Sequence, residues 1–142
     1  MEIVLGCDHG GVELKEWIRE RLENEGYVVM DTGIRPGQQA DYPQVARTVS
    51  KIVLESPGRL GLLFCGTGIG ISMAANKVPG IRAALCSDCY SARMAREHNN
   101  ANVLAFGGRT MGREHVWLMI QTFLQAKFQG GVHALRVEML ET

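Results

Sequence analysis

Leu60-Gly61-Leu62-Leu63-Phe64-Cys65-Gly66-Thr67-Gly68-Ile69-Gly70 carries the clearest architectural signal in the chain. Its first six residues are continuously apolar rather than alternating, the pattern of a strand covered on both faces, as in a parallel sheet. The glycines that follow supply a tight turn, and the small residues through about Lys77 read as a helix. A buried strand, a glycine turn and a helix make one strand–helix unit. Outward from it the unit recurs. Glu2 to Gly6 is an apolar run ending at Cys7-Asp8-His9-Gly10-Gly11, and Leu14, Trp17, Ile18 and Leu22 then mark one helix face closed by Gly26. Tyr27 to Met30 reads as a strand and Asp31 to Pro43 as a polar loop. Val45, Val49, Ile52 and Val53 mark a helix ending near Ser56-Pro57-Gly58. Ile81 to Cys86 reads as a strand and Asp88 to about Asn99 as a helix. Val103 to Phe106 is a fifth strand, and Val116, Ile120, Phe123 and Leu124 stripe a fifth helix. The tail carries a Gly130-Gly131 break before a short last helix.

Five strand–helix units predict an α/β fold: a three-layer α/β/α sandwich, Rossmann-like, around a five-stranded parallel sheet. A length of 142 residues suits one domain spanning 1–142, without repeat or linker. Fifteen basic and fifteen acidic residues cancel, which argues against a nucleic-acid footprint or a polybasic membrane surface. Apolar residues make up 46% and charged residues 21%, the composition of a folded globular chain. No apolar run approaches the roughly 20 residues of a membrane span. Met1 to Gly6 lacks the basic start of a signal peptide, so a cytoplasmic location is expected. Cys7, Cys65, Cys86 and Cys89 are accordingly expected as reduced thiols.

Ligands of open α/β sheets bind beyond the carboxyl ends of the strands. That rule gathers Cys7, Asp8 and His9 after strand one, Cys65 to Gly70 after strand three, and Arg109 after strand five: a carboxylate, an imidazole, a thiol, a guanidinium and a run of amides. Free amides at a glycine-rich strand-to-helix turn suit an anion. The run is no P-loop, because no Gly-Lys-Ser/Thr follows, and as G-x-G-x-G after the third strand it lacks the dinucleotide pattern. A tight packing turn is the competing explanation. Cys65 stands where a helix dipole favours a thiolate, apt as base or nucleophile, although a free cysteine at a strand end is also commonly inert. Cys7 reads as such an inert thiol. Cys86-Ser87-Asp88-Cys89 has C-x-x-C spacing but no companion ligands for zinc, so coincidence is the better reading. His98 reads as a helix-terminal imidazole, His115 as a surface residue, and His133 is unassigned. Arg109, after two glycines at a strand end, suits a phosphate.

The segments Gly6-Cys7-Asp8-His9, Asp41-Tyr42-Pro43, Cys65 to Ile71 with Ala74-Ala75-Asn76-Lys77, Gly80-Ile81-Arg82-Ala83, Glu97 to Val103, and Gly130-Gly131 to Arg136 together resemble the ribose-5-phosphate isomerase type B family. That family includes galactose-6-phosphate and allose-6-phosphate isomerases. The resemblance implies aldose–ketose isomerisation of a phosphorylated sugar through an enediolate, without metal or cofactor. It implies Cys65 as the base, and His98, aided by Thr67 and Asp8, as the ring-opening group. Amides of Gly66, Thr67, Gly68, Ile69 and Gly70, with Asn99, would stabilise the enediolate. His9, Arg109 and Arg136 would hold the phosphate, with Tyr42 near the same pocket. Because His98 and Asn99 end a helix that runs back along the sheet, they are expected at the end opposite Cys65. A homodimer with shared sites, or a tetramer built from it, is therefore expected, with the tail from about 126 to 142 at the contact. One departure stands out: Val132 lies where family members commonly have arginine. Either His133 or another group replaces it, or the sugar differs. A six-carbon sugar phosphate and a non-catalytic phosphometabolite-binding regulator are the alternatives.

Overall fold

A computed structural model describes residues 1–142. The elements follow in the order β1 (Glu2–Cys7), α1 (Val12–Asn24), β2 (Val28–Asp31), α2 (Tyr42–Leu54), β3 (Leu60–Cys65), α3 (Ile69–Asn76), β4 (Ala83–Leu85), α4 (Cys89–Glu97), β5 (Val103–Gly107), α5 (Arg113–Gln125) and α6 (Val132–Leu140). All strand pairs are parallel, in the order β2-β1-β3-β5-β4. The expected Rossmann-like sheet is present.

Alternation of side chains along the central strands feeds two cores. On one face Ile3, Leu5, Leu62, Phe64, Leu104 and Phe106 pack against α1, α4 and α5 through Leu14, Ile18, Ala95, Val116, Ile120 and Phe123. On the other Val4, Leu63, Val103 and Ala105 meet α2 and α3 through Ala46, Val49, Ile71 and Ala75. This is the three-layer arrangement. β1, β3 and β5 are covered on both faces, which is why they read as unbroken apolar runs. The edge strands depart from that pattern. Val28 and Met30 of β2 are exposed, and β4 keeps only three residues of the expected run from Ile81 to Cys86. With one neighbour instead of two, β4 pairs only Val103 to Ala105, and β5 runs on through Gly107 beside β3 alone.

The expected loop from Asp31 to Pro43 is also shorter than its sequence suggests, since α2 begins at Tyr42 with Pro43 in its first turn. Proline fits there, where the missing N–H has no helical partner anyway. Beside the β2 edge, Lys15 of α1 is 1% exposed and donates to Asp31 Oδ2 at 2.8 Å and to Glu16. Burial opposes its charge, yet the hydrogen bonds to Asp31 and Glu16 prevail and raise its pKa above the ordinary lysine value. No helix is long and apolar enough to cross a membrane.

Candidate active site

The carboxyl ends of β1, β3 and β5 meet in register, with Cys7 beside Phe64 and Cys65 beside Gly107. The loops leaving them are knitted through main chain. Asp8 N–H donates to the Phe64 carbonyl at 3.1 Å, Gly108 N–H to the Cys65 carbonyl at 2.8 Å, and Arg109 N–H to the Gly66 carbonyl at 2.9 Å. Such closeness needs residues without Cβ. A Cβ on Gly10 would lie 2.7 Å from the Gly66 nitrogen, and one on Gly107 2.6 Å from the Thr67 carbonyl carbon.

In this edge Cys65 is 5% exposed, and Gly68 N–H donates to its Sγ at 3.0 Å. Gly68 is the N-cap of α3 with φ +82°, a left-handed turn open to glycine that aims its amide back at the sulfur. Ile69 N–H is taken by Thr67 Oγ1 at 3.2 Å. Asp8 is buried and accepts from Gly10 N–H at 2.8 Å through Oδ1, which fixes its carboxylate, while His9 stands exposed beside it. Arg109 is exposed, and its Nη1 lies 3.0 Å from where a Gly66 Cβ would be. Tyr42, at the start of α2, lays its ring over Gly70 so closely that a Cβ there would stand 2.8 Å from Cε1. Asp8, His9, Tyr42, Cys65 to Gly70 and Arg109 therefore share one edge.

His98, Asn99 and Arg136 do not join them. His98 caps α4 and Asn99 follows it, ahead of Val103 where β5 starts, while Cys65 pairs with Gly107 where β5 ends. The length of β5, roughly 13 Å, lies between the two groups. Rather than serving as a lone helix-terminal imidazole, His98 stacks on His133 of α6, ring centroids 4.0 Å apart and planes 9° from parallel. Partial burial first, then the charges of His98 and Arg136, hold the His133 pKa below the ordinary imidazole value. Arg136 is exposed on the same helix, and Val132 opens it, 52% exposed.

The remaining thiols are not placed for chemistry. Burial, only partly offset by the charge of Lys15, pushes the Cys7 thiol up to about 11. Burial and the carboxylate of Asp88 push Cys86 to about 11 as well. All four cysteines are free, Cys86 and Cys89 included. His115 is exposed on α5. No three His, Cys, Asp or Glu side chains come together as a metal site requires. The role of Arg82 is not signalled by local pattern: its guanidinium gathers the carbonyls of Asn99 and Asn100.

A three-layer sheet with a thiol and a glycine turn at its carboxyl edge offers a small-molecule site, and comparison narrows its class. Residues 3–140 match the model of the ribose/galactose isomerase family. Ribose-5-phosphate isomerase B of Escherichia coli is 45% identical over 139 residues, 98% of this chain and 93% of that protein. The D-erythrulose-4-phosphate isomerase of Pectobacterium atrosepticum is 42% identical over 141 residues, covering 99% and 93%. The solved ribose-5-phosphate isomerase B of Clostridium thermocellum superposes with a TM-score of 0.95 at 48% identity, covering 99% of this chain and 95% of that one. The chain belongs to the ribose/galactose isomerase family, and homology places it among the sugar-phosphate isomerases.

Proposed function

We propose that the protein interconverts ribose 5-phosphate and ribulose 5-phosphate, with Cys65 as the base. The observation that carries this reading is the Gly68 N–H held 3.0 Å from Cys65 Sγ. A donor there stabilises negative charge on sulfur, the form in which a thiol accepts a proton. In the open-chain aldose Cys65 takes the proton from C2, and the electrons move through the C1–C2 bond onto the aldehyde oxygen. The enediolate so formed is met by Asn99 and by those amides of the Gly66 to Gly70 turn that Cys65 Sγ and Thr67 Oγ1 leave free, donors fixed before the charge develops. Return of the proton to C1, with transfer of one between the two oxygens, completes the ketose. Base and oxyanion donors are protein groups, so this reading requires no metal or cofactor.

Ring opening precedes these steps. His98, assisted by Thr67 and Asp8, moves the proton from the anomeric hydroxyl toward the ring oxygen. His9, Arg109 and Arg136 hold the phosphate, and Tyr42 closes the side of the pocket. Because β5 separates Cys65 from His98 within one chain, the reading calls for a homodimer in which each site draws Cys65 from one subunit and His98, Asn99 and Arg136 from the other. The two-fold symmetry of such a dimer repeats the arrangement twice. α6, with no buried side chain of its own and Leu135, Met139 and Leu140 exposed, suits that contact.

Val132 favours a second reading, a different sugar phosphate such as a six-carbon one, because an exposed valine cannot replace a charge-assisted phosphate contact. Conversion of ribose 5-phosphate by purified, metal-free protein, with allose 6-phosphate in parallel, decides between them. Brisk pentose turnover supports the main reading, and hexose-only turnover moves the substrate. No turnover of either returns the chain to a phosphometabolite-binding role.

A further inference from the structure

Residues 98–100 turn a corner between α4 and β5, and Asn100 takes φ +47°, the one non-glycine residue in the left-handed region. The turn directs the carbonyls of Asn99 and Asn100 toward Arg82. Nε of Arg82 donates to Asn99 O at 3.2 Å and to Asn100 O at 3.0 Å, and Nη2 donates to Asn100 O at 2.9 Å. Arg96 pins the corner from its other side, donating to Asn100 Oδ1 at 2.9 Å and Ala101 O at 2.8 Å. The remaining arm of Arg82, Nη1, reaches Glu141 Oε1 at 2.6 Å, and the second oxygen of Glu141 accepts from Gly80 N–H at 3.1 Å. Arg82 is 19% exposed and has no other carboxylate partner.

Glu141 caps the C-terminus of α6, whose other end is tied as well. Gln129 N–H donates to Glu97 O at 2.9 Å and its Nε2 to Glu97 Oε2 at 3.1 Å. A helix that buries no side chain is thus fastened at its C-terminus to Arg82, which in turn holds the Asn99–Asn100 carbonyls, and just ahead of its N-terminus to Glu97, the residue before His98. We propose that Arg82 and Glu141 are positioning residues: their ion pair joins the His98–Asn99 corner to α6 and so sets the distance between the ring-opening group and the phosphate-binding Arg136. This rests on the isomerase reading above, and it concerns how the half-site is held rather than what it does.

Glu141→Ala is the test, with Glu141→Gln as the milder variant. Neither touches the core, so both are expected to melt close to the parent protein. In Glu141→Ala, KM for ribose 5-phosphate rises about tenfold while kcat changes less than about twofold, because a loosened α6 weakens phosphate positioning. Glu141→Gln, which keeps an acceptor, rises less. On an Arg136→Ala background Glu141→Ala adds nothing further, since its effect passes through Arg136. An unchanged KM, or a full additional effect beside Arg136→Ala, overturns the proposal. Hydrogen exchange supplies a reading that needs no turnover. In Glu141→Ala the amides of α6 and those of Ala101 and Asn102, which bond the Ala95 and Arg82 carbonyls, lose protection together, whereas fraying of α6 alone overturns the link. Parent protein that turns over neither ribose 5-phosphate nor allose 6-phosphate fails the isomerase reading, and exchange then judges the coupling alone.

Discussion

At the carboxyl edge of the sheet the candidate site residues are held by backbone, and at the amino edge by side chains. Around Cys65, amides and carbonyls of three adjacent loops bond one another, and glycines allow chains to approach within distances no Cβ would tolerate. Around His98 the order comes from guanidinium–carbonyl bonds, an imidazole stack and one ion pair to the end of a surface helix. Backbone packing is stiff and hard to adjust by substitution. Side-chain tethers are adjustable, and the departure at Val132 lies on that adjustable side. On the proposed reading the base, His9 and Arg109 stand on the stiff edge, whereas His98, Asn99 and Arg136 hang on replaceable contacts.

The largest expected effect falls on the stiff edge. Cys65→Ala lowers kcat for ribose 5-phosphate by roughly 10³-fold, within the range a general base contributes, while circular dichroism stays unchanged. Activity within tenfold of the parent would remove the thiol from the chemistry. Next comes a direct cross between the two edges. Cys65→Ala and His98→Ala are each inactive alone, but subunits of the two, unfolded and refolded together, recover about a quarter of parent activity, since half the dimers are mixed and each holds one intact site. Absence of recovery would break the shared-site picture.

A smaller effect belongs to Gly68→Ala. It places a Cβ 2.7 Å from Leu85 Cδ1 at φ +82°, and the left-handed conformation alone costs ~1–2 kcal/mol. The melting temperature is expected to drop by several degrees, with activity falling as the amide moves off the sulfur. The smallest effect is a pH dependence. Cys7 and Cys86 sit at about 11 when folded, against an ordinary value of 9.0. Between these values the unfolded chain releases protons that the folded chain keeps, so stability is intact below pH 9 and declines as pH rises through 11. Denaturant midpoints measured from pH 8 to 11 check this. A flat profile would show that these thiols ionise freely in the fold.

The stiff edge was largely legible in the sequence. β1, β3 and β5 announce themselves because double burial forbids polar residues, and the rule for strand ends then points to Asp8, His9, Cys65 and Arg109. The edge strands were less legible, since β4 needs only three apolar residues once it has a single partner. Tyr42 and Pro43 read as loop although proline also opens helices. At the amino edge, helix direction alone placed His98 away from Cys65, but its roles came through resemblance to a family. The His98–His133 stack and the reach of Arg82 to Glu141, 59 residues away in sequence, had no local pattern to reveal them.

The order β2-β1-β3-β5-β4 also bears on how the chain is made. β5 is the last strand synthesised, yet it lies between β3 and β4. As the chain emerges, β2, β1 and β3 can pair at once, but β4 has no edge to join until Val103 to Gly107 follows it. Until then the free side of β3 is an apolar edge open to other chains. Synthesis halted between Leu85 and Val103 would leave the chain most prone to aggregation, and completion of five residues closes that window.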